Sequence, residues 1–162
     1  MQSVINVADI ALERWSKGNR FAAASKAFGT QLGLYGLGAT MYAVPPSKTA
    51  TPFHRHHTSD ELLFILSGNG TYRFGDARLA VKAGDFISAP AGGQAHQLIN
   101  TGDEDLRYVA FSNNTNADVV EYVDSGRVRI DVGATGHHRE DATFAAGGRL
   151  SPMEYWEGED TD

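Results

Sequence analysis

The chain has 162 residues, 14 basic against 20 acidic, a formal charge of −6 with histidine neutral, and no cysteine. That length suits one domain, expected over residues 1–162, and the acidic balance speaks against nucleic acid as a partner, because proteins that track phosphate carry a basic surplus. Disulfides, thiolate nucleophiles and cysteine-held metals are excluded; the longest strongly apolar run, residues 62–66, falls short of the roughly 20 that a membrane helix needs, and no basic-then-apolar start is present, so a soluble, cytoplasmic protein with no membrane partner is expected.

Residues 7–15 predict a short helix capped by Asp9, with Ile10 and Trp15 facing inward. From residue 32 onward, apolar, β-branched and aromatic stretches predict strands at 34–44, 61–66, 70–74, 78–81, 86–89, 96–100 and 106–111. Turn residues separate them: Pro45-Pro46, Gly68-Asn69-Gly70, Gly75-Asp76, Gly84-Asp85, Gly92-Gly93 and Gly102-Asp103. Short strands at this spacing, with no helix-length segment between them, predict an all-β sandwich or barrel. A further strand pair is expected at 119–123 and 127–132, around Asp124-Ser125-Gly126. Residues 133–148 are rich in Gly, Ala and His with little periodicity. The terminal segment is expected to anchor Tyr155 and Trp156 in a surface groove before an acidic tail. The expected layout is a barrel core over about residues 32–113, with irregular arms at 1–31 and 114–162.

Chemistry concentrates in Pro52-Phe53-His54-Arg55-His56-His57-Thr58-Ser59-Asp60-Glu61. Along a strand the side-chain period is two, so His54 and His56 project from one face and Arg55 from the other. Two imidazoles side by side can chelate a metal. A turn over 57–60 then brings Glu61 to the head of the next strand, and His96 follows on a later one. Three imidazoles and a carboxylate suit iron, manganese, nickel or zinc and leave coordination positions open. Asp60 is an alternative to Glu61 if the turn is one residue shorter.

These residues carry a resemblance to the cupin superfamily. His54, His56, Glu61 and Gly68 fit the spacing of the first cupin motif, with Lys48 where its leading Gly stands; Gly84, Pro90, Gly92, His96 and Asn100 fit the second, with one extra residue before His96 that places Gly93 in the turn's role. Fifteen residues separate Gly68 from Gly84, as in compact bacterial members. The flanks, among them Val119-Val120-Glu121-Tyr122 and Tyr155-Trp156-Glu157-Gly158-Glu159, are similar to a group of uncharacterised single-domain cupins, some of them named sugar-phosphate isomerases.

The resemblance implies a double-stranded β-helix, or jelly-roll barrel, assembled as a homodimer, with one divalent metal per chain held by His54, His56, Glu61 and His96. His57 and Tyr72 are the expected catalytic residues, His57 as a proton shuttle because imidazole titrates near neutrality. Tyr42 and Gln94 are expected to contact a small-molecule substrate, Gln94 because it shares face parity with His96. His137 and His138 are expected in an exposed loop. A metal-dependent isomerase acting on a sugar phosphate is the first functional expectation, and it calls for a cationic clamp from Lys48, Arg55, Arg73 or Lys82. An Fe(II)-dependent dioxygenase and a non-catalytic sensor of a metal or metabolite are the alternatives.

Overall fold

The computed structural model describes residues 3–133 and 142–160, so His137 and His138 lie outside the described residues. The strands are β1 (Glu13–Lys17), β2 (Phe21–Ala27), β3 (Leu37–Val44), β4 (His54–His56), β5 (Glu61–Ser67), β6 (Asn69–Phe74), β7 (Ala77–Lys82), β8 (Phe86–Ala89), β9 (His96–Ile99), β10 (Leu106–Asn113), β11 (Ala117–Tyr122), β12 (Arg127–Val132) and β13 (Phe144–Gly148). They form a six-stranded sheet, β1-β2-β3-β10-β5-β8, and a seven-stranded sheet, β13-β12-β11-β4-β9-β6-β7. Every strand pairing within the two sheets is antiparallel. This is the all-β architecture expected from the strand pattern, in the jelly-roll arrangement that the resemblance implies. Among the described residues no α-helix occurs, and no helix is long and apolar enough to cross a membrane.

The inner faces of the two sheets meet in one apolar cluster: Val44, Leu63, Ile65, Ile87, Leu106 and Tyr108 from the first, Tyr72, Val81 and Leu98 from the second. Alternation along the strands sets this up, since Leu63 and Ile65 on β5 and Leu98 on β9 share a face with Glu61 and His96 respectively. The interior is therefore apolar toward Ile65, Leu98 and Leu106, all nearly inaccessible to solvent, and polar toward Glu61 and His96.

A second cluster, Phe28, Ala39, Met41 and Val109, lies on the outer face of the six-stranded sheet. The N-terminal segment covers it with Ile5, Ile10 and Leu12.

The expected helix at 7–15 does not form. A single 3-10 turn, Val7–Asp9, is capped by Asn6, whose side chain accepts from Ala8 N, and not by Asp9; β1 follows. A helix this short gains too few internal hydrogen bonds to offset its nucleation, whereas β1 satisfies its backbone by pairing with β2 across a turn at Gly18. Ile10 and Trp15 do reach apolar partners, though on different sides: Ile10 joins the outer cluster and Trp15 the inner one, with its indole N–H donating to Ser25 Oγ.

The arms are also more regular than expected. The N-terminal one contributes β1 and β2 and the C-terminal one β11, β12 and β13, with β13 recruited by β12 from the Gly- and Ala-rich stretch. Tyr155 and Trp156 are not anchored in a groove: they are 82% and 66% exposed and pack edge-to-face on each other.

Two turns explain motif glycines. Gly68 has φ +82°, and a Cβ there would lie 2.7 Å from the Asp105 carbonyl oxygen. In the turn before His96, Gly92 takes the left-handed conformation at φ +67°; Gly93 does not replace it, but a Cβ on Gly93 would meet Pro90 O at 2.8 Å. The motif's Asn100 is fully buried and ties three backbone groups, donating to Val44 O and Glu104 O and accepting from Gly102 N.

Candidate metal centre

Strand β4 pairs with β9 through His54 opposite His96, and β5 supplies Glu61 from the facing sheet. The two sheets thereby close three imidazoles around one carboxylate oxygen. Glu61 Oε2 lies 2.9 Å from His96 Nε2, 3.4 Å from His56 Nε2 and 3.7 Å from His54 Nε2. One ligand atom each from His54, Glu61 and His96 falls within 4.8 Å of the others. His54 and His96 are buried, and the His56 and Glu61 side chains are only 12% and 17% exposed.

Two of the histidines are oriented from behind. His54 Nδ1 donates to Pro52 O at 2.8 Å, and His56 Nδ1 donates to the Asp118 carboxylate. Asp118 is in turn held by the Thr58 hydroxyl, which donates to Oδ1 at 3.0 Å. A neutral imidazole has one N–H. With both Nδ1 hydrogens engaged, the Nε2 lone pairs of His54 and His56 face the Glu61 carboxylate with no proton between them. Lone pairs facing an anion repel, and a divalent cation among them reverses the sign of every contact, so this donor set fits a metal that accepts nitrogen and oxygen.

The titration behaviour follows the same geometry. Burial pushes the Glu61 carboxyl up, but the pull of the surrounding imidazoles His54, His96 and His56 outweighs it and holds the group well below its usual range. Burial lowers His96, against the opposing pull of Glu61. For Asp118 burial again acts upward and the His56 hydrogen bond, with Thr58, prevails to lower it. Two buried polar side-chain atoms, His96 Nδ1 and Thr40 Oγ1, have no hydrogen-bond partner among the described residues. Such atoms are uncommon in folded proteins, and one belongs to this cluster.

Other candidates are distributed differently. His57 does not join the cluster: its Nε2 lies 3.4 Å from Glu121, beside the Arg55–Glu121 ion pair, on an exposed surface. Tyr72 is inside, its ring 6.1 Å from that of His96, but its hydroxyl donates to Ser88 O and burial with the Glu61 charge pushes its ionisation up, so it is a neutral wall of the site. Tyr42 stacks on Tyr108 with ring centroids 5.0 Å apart, inside the barrel on the same sheet as Glu61. Gln94 is exposed, in the turn before β9, with its side-chain amide beside Gly75. Asp60 is no substitute for Glu61, since its carboxylate accepts from Ala91 N in the turn.

The expected cationic clamp is not assembled from the four residues named for it. Arg55 faces Glu121 on the opposite side of β4, as alternation requires. Arg73 forms a bidentate pair with Asp124 and lies over the Phe53 ring. Lys48 is tied to Asn19 O, and Lys82 sits on β7, three strands from β4. The residue beside the candidate centre that sequence reasoning missed is Asp118, which reaches His56; its one sequence signal is a carboxylate at the start of an apolar strand, with nothing to show which histidine it would reach.

Residues 40–112 match the family described as Cupin domain. The fold is similar to that of a protein from Acidithiobacillus ferrooxidans named provisionally as a sugar phosphate isomerase, with a TM-score of 0.77 and 20% identity over 93% of this chain and 96% of the other. It is also similar to a sugar phosphate isomerase from a cupin superfamily in Silicibacter pomeroyi, with a TM-score of 0.74 and 20% identity over 94% and 97% of the two chains. At such identity the likeness is one of fold. The Oxalate-binding protein of Thermotoga maritima is 31% identical over 65 residues, 40% of this chain and 53% of that one. The chain spans about half the length of the curated relatives it matches.

Proposed function

Because residues 40–112 of this protein match the Cupin domain, we propose that it is a cupin and a metal-dependent enzyme acting on a small polar metabolite, with His54, His56, Glu61 and His96 holding one divalent ion of iron, manganese, nickel or zinc. The observation that carries this reading is the convergence of three imidazole Nε2 atoms on Glu61 Oε2, two of them presenting lone pairs to the carboxylate. Within that class the reaction is isomerisation of a sugar phosphate. The names of the two structural relatives support it.

When bound, the metal supplies a Lewis acid that polarises a carbonyl oxygen and orients a neighbouring hydroxyl. The chain's own residues do the rest. Pro52 O and Asp118 fix the tautomers and ring planes of His54 and His56. Tyr72 and Tyr108, both kept neutral by burial and by the charge of Glu61, form an uncharged aromatic wall. The apolar floor at Ile65, Leu98 and Leu106 closes the inner end to water. The test is to load the purified protein with each metal in turn and follow a panel of sugar phosphates by NMR in deuterated water. Deuterium entering the carbon beside the carbonyl, together with appearance of the isomer, is the expected result; neither with any metal overturns the isomerase reading.

A second reading, binding of a small dicarboxylate without turnover, is favoured by the name of the Thermotoga relative. Calorimetric titration of the metal-loaded protein with oxalate separates the two. The proposal includes a homodimer: Phe86, exposed and stacked on Phe64 beside the exposed Leu62, offers an apolar surface for a second copy, and sedimentation at twice the mass of one chain is expected.

A further inference from the structure

A cleft of about 870 Å³ lies beside the candidate metal centre and is lined by Arg20, Arg127 and Arg129 together with Tyr122 and Pro52. Pro52 is the residue whose carbonyl accepts from His54, and the Tyr122 ring lies 6.4 Å from that of His54. The strand register makes the link explicit. Tyr122 stands directly opposite His54 on one side and Arg127 on the other; Val120 stands opposite His56 on one side and Arg129 on the other. Residues directly paired across antiparallel strands project from the same face. Arg127 and Arg129 thus extend the two histidine rows along one face, two strands away, at a backbone separation of about 10 Å given strand spacings near 4.8 Å.

The charges there run against the chain as a whole. Around the cleft four guanidinium groups, Arg20, Arg73, Arg127 and Arg129, face two carboxylates, Asp124 and Asp131, in a chain of net charge −6. Arg73 already engages both oxygens of Asp124, at 2.9 and 3.0 Å, so Arg20, 3.6 Å from the same carboxylate and donating from Nη2 to the neutral Gln97 Oε1 at 3.2 Å, is a second cation on an occupied partner. Both hydrogen bonds from Arg129 to Asp131 leave from Nε, which directs the terminal nitrogens elsewhere. The Arg127 guanidinium has no ion pair or hydrogen bond among the described residues. Planar forks with free N–H groups match the oxygens of a phosphate dianion.

The geometry points to a phosphate-binding subsite formed by Arg20, Arg127 and Arg129, which holds the phosphomonoester end of a substrate whose carbonyl end reaches the His54–His56–Glu61–His96 cluster. It rests on the isomerase reading for the substrate as a whole, but the anion site itself is testable alone. These arginines also replace the clamp that Lys48, Arg55, Arg73 and Lys82 do not assemble.

The experiment titrates inorganic phosphate into the full chain by calorimetry and ³¹P NMR, with metal content and circular dichroism measured on the same samples. The variants are Arg20→Gln with Arg127→Gln, both exposed, with circular dichroism checking the fold because Arg20 also donates to the buried Gln97 and lies over the Phe21 ring, and Arg78→Gln on the exposed edge strand β7 as control. Millimolar binding by the unmodified chain, at least tenfold weaker binding by the double variant, and an unchanged control are expected. Equal binding by the double variant, or none by the unmodified chain, overturns the subsite. Acetate competing as well as phosphate overturns the phosphomonoester class. Metal bound at full occupancy while phosphate fails to bind sinks the subsite and leaves the metal centre standing; loss of the metal in the unmodified chain sinks the proposed function instead.

Discussion

Asp118 hydrogen-bonds the Nδ1 of His56 from a position 62 residues further along the chain, on a strand that meets β4 only in the folded molecule. That contact fixes which nitrogen of His56 faces Glu61. It makes the carboxylate–imidazole pair part of the candidate metal centre although Asp118 itself does not touch the cluster's central oxygen. Replacing Asp118 by Ala is expected to weaken metal binding by about 10–100-fold, with Asp118→Asn weaker in effect because its amide oxygen still accepts the hydrogen bond. Competition with a coloured chelator measures both; an alanine variant with unaltered affinity would show the pair to be incidental.

Removal of a direct ligand is expected to act more severely. Elemental analysis of the unmodified chain should give about one divalent metal per chain, and His56→Ala should retain less than about a tenth of it. Because His56 belongs to neither apolar cluster, the variant is expected to fold, which circular dichroism checks. Full occupancy in the folded variant refutes the assignment of His56.

The apolar end of the barrel sets stability. Leu106 is fully buried among residues from both sheets, and Leu106→Ala is expected to cost about 2–5 kcal/mol in urea unfolding, through lost transfer energy and a residual cavity. A cost below about 1 kcal/mol shows that the two sheets collapse around the vacancy.

Gly68→Ala tests the turn between β5 and β6. The residue sits at φ +82° with its missing Cβ 2.7 Å from a backbone oxygen of the Asp105 segment, which cannot swing aside as a side chain would. A loss above about 1 kcal/mol is expected, read from the urea midpoint at an unchanged slope.

Alkaline pH is expected to unfold the protein through Tyr72 and Tyr108. Burial is the main cause that raises both phenols, with the Glu61 charge added for Tyr72 and Tyr42 and Glu61 for Tyr108. Each ionises later in the folded chain than in the unfolded one. Their contribution is therefore intact below the unfolded value of about 10 and is lost as pH rises above it. Titration at 295 nm should find two of the six tyrosines unionised until the far-ultraviolet signal collapses; smooth ionisation of all six within the folded state contradicts this.

The strands from β3 to β12 were legible because their signals are local: a period of two, β-branched and aromatic content, and Gly, Asn or Pro at the turns. The proposed ligand set was suggested for a related reason. His54 and His56 share a face by alternation, and the spacing to Glu61 and His96 matches a motif that survives without knowledge of the fold. Residues 7–15 were misread as helix because periodicity cannot see that β2 offers the backbone a better partner. Tyr155 and Trp156 were misread because apolar content at a chain end says nothing about whether a groove exists to receive it.

By itself, then, the sequence determined the all-β class and the exclusion of thiolate ligands, and it singled out the four residues proposed for the metal centre. Pairing between distant strands decided the rest. Asp118 reaches His56, and Arg127 and Arg129 line up with the two histidines, only because β11 lies between β4 and β12 in one register. Register across a sheet is a contest among non-local hydrogen-bonded alternatives, and a slip of one residue turns every side chain to the other face. No local pattern in β12 records which strand its neighbour will pair with, so the placement of its arginines belongs to the tertiary structure alone.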